Sequence, residues 1–241
     1  MKPYIFDTET TGTDHENDQI IEAAWLELPE KPHLFAQTRS PEDFPHYLER
    51  FRPSVPIQLG AQATHHIICS DLVGCRESKA FKLPKDIGWM IGHNIDFDAK
   101  FSKGMKLKRI CTLAISRFLF PDKDSHTQSA MIYMIGRRYS KEEWARGLLK
   151  NAHAALDDVR NNAILLRFLL SEAMDKGHAC DTWDEVLELS DTARIPTVMG
   201  FGKHKGTPIV RGQLDPGYVR WYRQQAETDE YLLEAFKRAG F

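Results

Sequence analysis

The stretch YIFDTETTG, residues 4–12, decides the fold class of this chain. Its apolar start leads into two carboxylates and a glycine turn, which predicts a buried strand followed by a loop. Asp7 and Glu9 stand two positions apart, so on a strand both side chains point to the same face. Two neighbouring carboxylates favour a cation site, although a solvent-facing strand end is the more common explanation of an isolated Asp-x-Glu pair.

Patterns further along the chain extend this strand into an α/β fold. Apolar runs of strand length occur at residues 20–28, 34–38, 89–93 and 109–112. Helices are predicted at residues 97–105, 113–120, 154–174 and 230–238. Strands interleaved with helices predict a mixed sheet flanked by helices.

Glycine and proline become frequent from about residue 195, which predicts a small turn-rich module at the end of the chain. We expect a domain at 1–178, a linker or helix at 179–194 and a C-terminal module at 195–241. The module is basic, because six Lys and Arg stand against one acid between Arg194 and Arg223. Basic stretches beside an acidic N-terminal segment suit an enzyme acting on a polyphosphate, although solvated surface charge commonly explains a single run.

The composition is that of a folded, water-soluble protein. Hydrophobic residues make up 42% of the chain and charged residues 27%, with a mean hydropathy of −0.44, which argues against disorder and against a membrane protein. Acidic residues occupy the N-terminal segment, where an export signal needs apolar ones. We therefore expect a cytoplasmic protein with no membrane partner. Four separated cysteines without a CxxC pair indicate reduced, buried thiols.

Two further polar clusters stand at the ends of predicted elements. The sequence GHNIDFD, residues 92–98, lies where a predicted strand gives way to a helix, and either of its acids could simply cap that helix. The sequence HAALDD, residues 153–158, begins the long predicted helix. Because residues five apart on a helix differ by about 140°, His153 has to lie in the loop before the helix to share a site with Asp158.

Together the three clusters resemble the exonuclease motifs of the DnaQ-like DEDDh superfamily. The matching segments, with all five signature positions in order, are DTETTG at 7–12, GHNxxFD at 92–98 and HxAxxD at 153–158. Residues 64–67, Thr-His-His-Ile, resemble the substrate-side His-x-Ile element of the same family. The segments FGKHKGTP at 201–208 and DPGYVRW at 215–221 resemble the C-terminal module of one exodeoxyribonuclease branch, which they favour over polymerase proofreading subunits.

The resemblance implies a ribonuclease-H-like sheet and a metal-dependent 3′→5′ exodeoxyribonuclease that releases 5′-nucleotides from DNA. It implies two Mg²⁺ or Mn²⁺ ions, which would catalyse phosphodiester hydrolysis together. Their implied ligands are Asp7, Glu9, Asp98 and Asp158, selected over the neighbouring acids Asp96 and Asp157. His153 matches the position of the general base, a role that suits its near-neutral pKa.

Implied substrate contacts lie on both parts of the chain. Thr10, His65 and Phe97 are the candidates for contacts with the 3′ end, which we expect to be single-stranded or frayed DNA. Lys203 and Lys205 lie in a turn between glycines, where ammonium groups and backbone amides can meet phosphates. A module that only stabilises the first domain is the alternative.

Two other functions remain open at this point. An RNA-trimming exoribonuclease on the same scaffold is one, because nothing in the sequence reads the sugar 2′-hydroxyl unambiguously. A catalytically weak module that binds or positions DNA for a partner is the other. The complete set of acids and His153 argues against such a decayed site.

Overall fold

The computed structural model describes residues 1–37, 40–151, 154–225 and 228–241. Its strands are β1 (Lys2–Thr10), β2 (Ile20–Glu27), β3 (His46–Arg52), β4 (Arg76–Glu77), β5 (Ile87–Gly92) and β6 (Lys108–Cys111). In these residues they form a six-stranded sheet in the order β4-β3-β2-β1-β5-β6. Because β1 pairs antiparallel with β2 and parallel with β5, the sheet is mixed and β1 lies inside it.

The described residues also form α-helices. They are α1 (Pro32–Gln37), α2 (Leu59–His65), α3 (Asp96–Phe101), α4 (Thr112–Leu119), α5 (Gln128–Arg138), α6 (Glu142–Leu148), α7 (Ala155–Asp175), α8 (Trp183–Arg194), α9 (Pro216–Tyr222) and α10 (Glu230–Arg238). The long helix α7 packs against β1 and β2, with Val159 and Leu166 fully buried. The predicted α/β architecture is confirmed. Within the described ranges, no helix has both the length and the apolar character needed to cross a membrane.

The prediction of a strand at 34–38 is wrong, because Pro32–Gln37 form the helix α1. Pro32 suits the first turn of a helix, where its missing N–H costs no hydrogen bond. The run buries Phe35 completely against Phe44 and Trp183, with ring centroids 5.7 and 6.2 Å away, and leaves Leu34 45% exposed. A short amphipathic helix therefore satisfies this apolar segment.

The third strand of the sheet is β3, a segment that shows no apolar run of its own. Its residues, HYLERFR, carry one fully buried side chain, Phe51. Pairing with β2 from Glu22↔Arg50 to Leu26↔His46 holds this polar segment in the sheet. Tertiary pairing thus decides a structure that local sequence leaves open.

The chain separates into two compact units, residues 1–187 and 188–241. The division falls inside α8, within the segment expected as a linker or helix. The second unit has its own apolar core, formed by Met199, Ile209, Leu214, Tyr218, Val219, Tyr222, Leu232, Ala235 and Phe236. The assignment of a separate role to each unit stays a prediction.

All four cysteines carry free thiols. Cys111 and Cys180 are buried, as predicted. The prediction of burial is wrong for Cys69, which is exposed, while Cys75 is half-buried. Cys69 begins a short surface 3₁₀ turn in which only Leu72 is buried, so the core takes up another side chain of this turn.

Candidate active site

The central strand β1 presents Asp7 and Glu9 from the same face, as their spacing predicts. Both side chains are half-buried, whereas Thr8 between them is only 6% exposed. In the pairing of β1 with β2, Asp7 stands opposite Ala24 and Glu9 stands opposite Glu22. The strand therefore delivers two acids to a partly enclosed site.

The helix α7 brings a third acid to these two. Asp158 lies in its first turn, and the helix packs directly against β1. One carboxylate oxygen from each of Asp7, Glu9 and Asp158 can be chosen so that all three lie within 4.8 Å of one another. This is the spacing at which carboxylates can share a cation.

The fourth acid, Asp98, is tied to the same segment of β1. It lies in α3 and is 4% exposed. The backbone N–H and the hydroxyl of Thr8 donate hydrogen bonds to its Oδ1 atom, at 2.9 and 2.8 Å. These two bonds hold Asp98 at the same segment of β1, and its charge contributes to the raised pKa of Asp7.

The neighbouring acids take other partners. Asp96 forms a salt bridge with Arg109, and Asp157 lies 3.6 Å from a guanidinium nitrogen of Arg160. The structure thus places Asp98, rather than Asp96, against the β1 acids. It places Asp158, rather than Asp157, in the carboxylate cluster.

Burial and mutual repulsion raise the pKa values of these acids. Burial, then the charge of Asp158, raises the pKa of Glu9 to about 9. Burial raises the pKa of Asp98 to about 7, although the hydrogen bonds from Thr8 oppose the rise. The pKa of Asp7 stands well above its usual value, through burial first and then the charge of Asp98. Burying several carboxylates together is unfavourable unless a cation neutralises them. A hard divalent cation, which prefers oxygen ligands, fits this arrangement.

Sequence reasoning missed a fifth acid close to this site, Glu22. It is 2% exposed and accepts hydrogen bonds from the Arg50 guanidinium at 2.6 Å and from the Ala155 N–H at 3.0 Å. Ala155 is the first residue of α7, so this N–H has no acceptor inside the helix. Glu22 therefore anchors the end of the helix that carries Asp158. The signal was a lone acid within the apolar stretch IIEAAW.

A second missed residue is Gln128, which opens α5. Its amide donates to the backbone oxygen and to Oδ1 of Asp158, at 3.1 and 3.2 Å. The Thr127 hydroxyl accepts from Ala130 N and caps α5, which holds Gln128 in place. Gln128 thus orients the carboxylate of Asp158.

The predicted 3′-end contacts adjoin the elements that carry the acids. Thr10 ends β1, where its hydroxyl donates to the Gly12 carbonyl at 2.6 Å, and the half-buried Phe97 precedes Asp98 in α3. His65 ends α2, which packs on β1. Burial lowers the pKa of His65, and its Nε2 is buried without a hydrogen-bond partner among the described residues. The Nδ1 of His65 accepts a hydrogen bond from the Ile67 N–H at 2.9 Å, so Nε2 is the protonated nitrogen.

The remaining predicted residues lie elsewhere. Lys203 and Lys205 are exposed in the second unit. Gly202 and Gly206, at φ +66° and +83°, bound their turn in left-handed conformations that favour glycine. His153, the predicted general base, lies outside the described residues.

An open cleft of about 530 Å³ lies beside the acids and is lined by Asp7 and Asp158. Its walls also include Arg117, a cation that attracts phosphate. His93 lines it as well, but burial lowers the pKa of His93 to about 4. The His93 Nε2 lies 2.8 Å from the carbonyl of His126, which fixes it as the protonated nitrogen. His93 is therefore a neutral, internally bonded side chain.

Comparison with known proteins places this geometry in a family. A family model described as Exonuclease, RNase T, matches residues 4–166. The match covers more than half of the 241 residues, and the chain belongs to this exonuclease family.

The chain is also similar to individual exonucleases. The chain is 27% identical over 173 residues to exodeoxyribonuclease 10 of Escherichia coli K12, covering 70% of this chain and 73% of the relative. Its fold matches exonuclease X in complex with 5′ overhanging duplex DNA, with a TM-score of 0.54, 21% identity and coverage of 78% of this chain and 98% of that one. It also matches E. coli exonuclease I in complex with a dA16 oligonucleotide, with a TM-score of 0.53, 13% identity and coverage of 82% and 46%. These findings confirm the predicted DnaQ-like superfamily and the ribonuclease-H-like fold.

Proposed function

We propose that this protein is a metal-dependent 3′→5′ exodeoxyribonuclease that releases 5′-nucleotides from DNA 3′ ends. The observation that carries the proposal is the cluster of Asp7, Glu9 and Asp158 oxygens within 4.8 Å, at an open cleft, in a member of an exonuclease family. The relatives support DNA as the substrate, because one is an exodeoxyribonuclease and two solved neighbours are DNA complexes.

The four acids fit two Mg²⁺ or Mn²⁺ ions as resident cofactors. Asp7, Glu9, Asp98 and Asp158 would hold them, and bound ions would stabilise charge on the attacking and leaving oxygens of the phosphodiester. Neighbouring side chains hold these carboxylates in position. Thr8 and Gln128 orient the carboxylates of Asp98 and Asp158.

Other residues would bind the DNA substrate and activate the attacking water. Thr10, His65 and Phe97 contact the terminal nucleotide in this proposal, and His153 takes a proton from the attacking water. Arg117 on the cleft wall attracts the phosphate backbone. Lys203 and Lys205, in the second unit, contact other phosphates of the bound strand.

The experiment that tests this function is digestion of matched oligonucleotides, with Mg²⁺ and with EDTA. A 5′-labelled single strand is expected to shorten through a ladder of products, and a 3′-labelled strand to release labelled mononucleotide at once. A duplex with a 3′ overhang tests strand preference. Faster loss of the RNA version supports the exoribonuclease instead, and binding without metal-dependent loss of any strand contradicts a nuclease.

Glu22→Gln tests how the acidic centre is positioned. The change weakens the anchor on the α7 N-terminus, so we expect nuclease activity to fall roughly 10- to 100-fold, as for residues that support metal ligands. The Mg²⁺ concentration needed for half-maximal activity should rise. Glu27→Gln is the matched control, because Glu27 lies on the same strand but pairs with Lys2. An unchanged Mg²⁺ titration in a folded Glu22→Gln protein contradicts the positioning role.

Lys203→Glu combined with Lys205→Glu tests the phosphate contacts of the second unit. If two phosphate contacts are lost, the slope of log affinity against log salt becomes shallower by about 1.4, at about 0.7 per phosphate of single-stranded DNA. The slope is measured with metal-free protein in EDTA, so that no DNA is degraded. Lys237→Glu with Arg238→Glu makes the same charge change on α10, where both cations pair with Glu234. Equal slopes in the two double mutants leave the turn a structural role only.

A further inference from the structure

The second unit carries a cluster of aromatic rings where the turn at 201–206 meets α9. Tyr218 lies at its centre, with ring centroids of His204 at 4.6 Å and Trp221 at 5.4 Å. Phe201 lies 6.1 Å from Tyr222 in the same cluster. Tyr218 and Tyr222 belong to the buried core, but Phe201 is 48% exposed and Trp221 is 53% exposed.

The exposure of these two rings is not explained by packing. Single exposed apolar residues are ordinary on protein surfaces. Here, however, each exposed ring packs against a buried tyrosine, which restricts its movement before a ligand binds. A tryptophan side chain has only two torsion angles, so Trp221 loses little conformational entropy when a ligand binds to it.

The charged side chains of the turn and of α9 with its C-cap are mostly positive. Exposed cations on this turn and helix are Lys203, Lys205, Arg220 and Arg223. Asp215 is the only acid between residues 200 and 225, and its carboxylate accepts a hydrogen bond from Gly217 N at the start of α9. The Lys203 ammonium lies 6.0 Å from the Tyr218 ring, which places a positive charge beside the aromatic cluster.

Exposed flat rings among cations match a single-stranded nucleic acid, which is DNA in the proposed function. Single-stranded DNA offers phosphates for the cations and free base faces for stacking, whereas a duplex hides its base faces. An acidic peptide would use the charges but would leave the flat rings without a matching partner. The charge and the rings together therefore favour a single strand.

We infer that Trp221, together with Phe201 of the same aromatic cluster, forms a base-stacking platform that holds single-stranded DNA on the second unit. This inference rests on the proposed function in one respect: the DNA strand that the platform binds is taken to be the substrate of the nuclease. It adds base contacts to the phosphate contacts of Lys203 and Lys205. Burial distinguishes Trp221 from its neighbours on α9, because Tyr218 and Tyr222 are 8% and 7% exposed and Trp221 is 53% exposed.

Binding of the full-length protein to a 5′-labelled single strand of about 30 nucleotides tests the platform, with fluorescence anisotropy in EDTA as the readout. Trp221→Ala is expected to weaken binding about 5- to 150-fold, the range for one stacked base. Trp221→Phe should restore most of the loss. Trp144→Ala is the matched control, because Trp144 on α6 is also exposed, at 41%, and lies in the first unit.

An abasic strand with the same phosphates separates stacking from charge. The wild-type protein should bind the normal strand more tightly, and Trp221→Ala should remove that preference without changing the salt slope. Folded Trp221→Ala with wild-type affinity overturns the inference. Equal losses on normal and abasic strands also overturn it, as does oligoglutamate that competes as well as the normal strand. Preferential binding without metal-dependent digestion refutes the proposed function and leaves the platform standing.

Discussion

Glu9→Gln is expected to lower metal-dependent DNA digestion by on the order of 10³-fold or more, with the fold intact. The carboxylate of Glu9 lies within 4.8 Å of oxygens from Asp7 and Asp158, so its loss removes a ligand from the centre of the cluster. Single-turnover digestion of a labelled strand in saturating Mg²⁺ measures the effect. Asp7→Asn, Asp98→Asn and Asp158→Asn are expected to cause losses of the same kind.

Two neighbouring acids provide matched controls for this prediction. Asp96→Asn and Asp157→Asn remove the same charge one or two positions away, where the partners are Arg109 and Arg160. Both controls should keep most of the activity. If Asp96→Asn inactivates the protein and Asp98→Asn does not, the assignment of the second motif is wrong.

Glu9→Gln is also expected to stabilise the metal-free protein at high pH. The pKa of Glu9 is raised from 4.5 to about 9 in the folded state, so between these values the folded chain holds a proton that the unfolded chain has released. Stability without metal therefore falls as the pH rises through this window. Glu9→Gln should raise the Tm in EDTA at about pH 8 and change it little at about pH 4.5. If Glu9→Gln has a lower Tm than the wild type at about pH 8, the Glu9 carboxylate stabilises the metal-free fold and the prediction is wrong.

The sequence predicted the parts of this site that depend on local spacing. Alternation along β1 was enough to place Asp7 and Glu9 on one face. The helical pattern of 154–174 matches α7, which begins one residue later, at Ala155, and ends at Asp175. The choice of Asp98 came from the family resemblance. Its contact with Thr8 spans 90 residues of sequence, which no local pattern predicts.

The residues that sequence reasoning missed depend on long-range pairing. Glu22 meets the α7 N-terminus because β2 pairs with β1, and it meets Arg50 because β3 pairs with β2. Neither strand register can be read from one segment alone. α5 was missed for a related reason. It packs against α6, where a Cβ on Gly136 would lie only 2.8 Å from the Ala145 Cβ, so tertiary contact decides this pair.

His153→Ala is expected to lower turnover roughly 10²- to 10⁴-fold, the usual effect of losing a general base. DNA affinity should change little, because the base acts on water rather than on the strand. The wild-type rate should fall as the pH drops below about 6.5, where a histidine base becomes protonated. In His153→Ala that dependence should disappear, and the residual rate should rise with pH as hydroxide replaces the missing base.

Other histidines provide the control and the contrary outcome. His93 lines the cleft, but its Nε2 donates to the His126 carbonyl and burial holds its pKa near 4, so it is not available as a base at neutral pH. His46, exposed on β3, is a neutral control, and His46→Ala should keep the wild-type pH profile. A normal rate and pH profile in His153→Ala would remove His153 from the reaction. The base would then be sought among the neighbouring histidines, His65 and His66. Of these, His65 could act only after losing the hydrogen bond that its Nδ1 accepts from the Ile67 N–H.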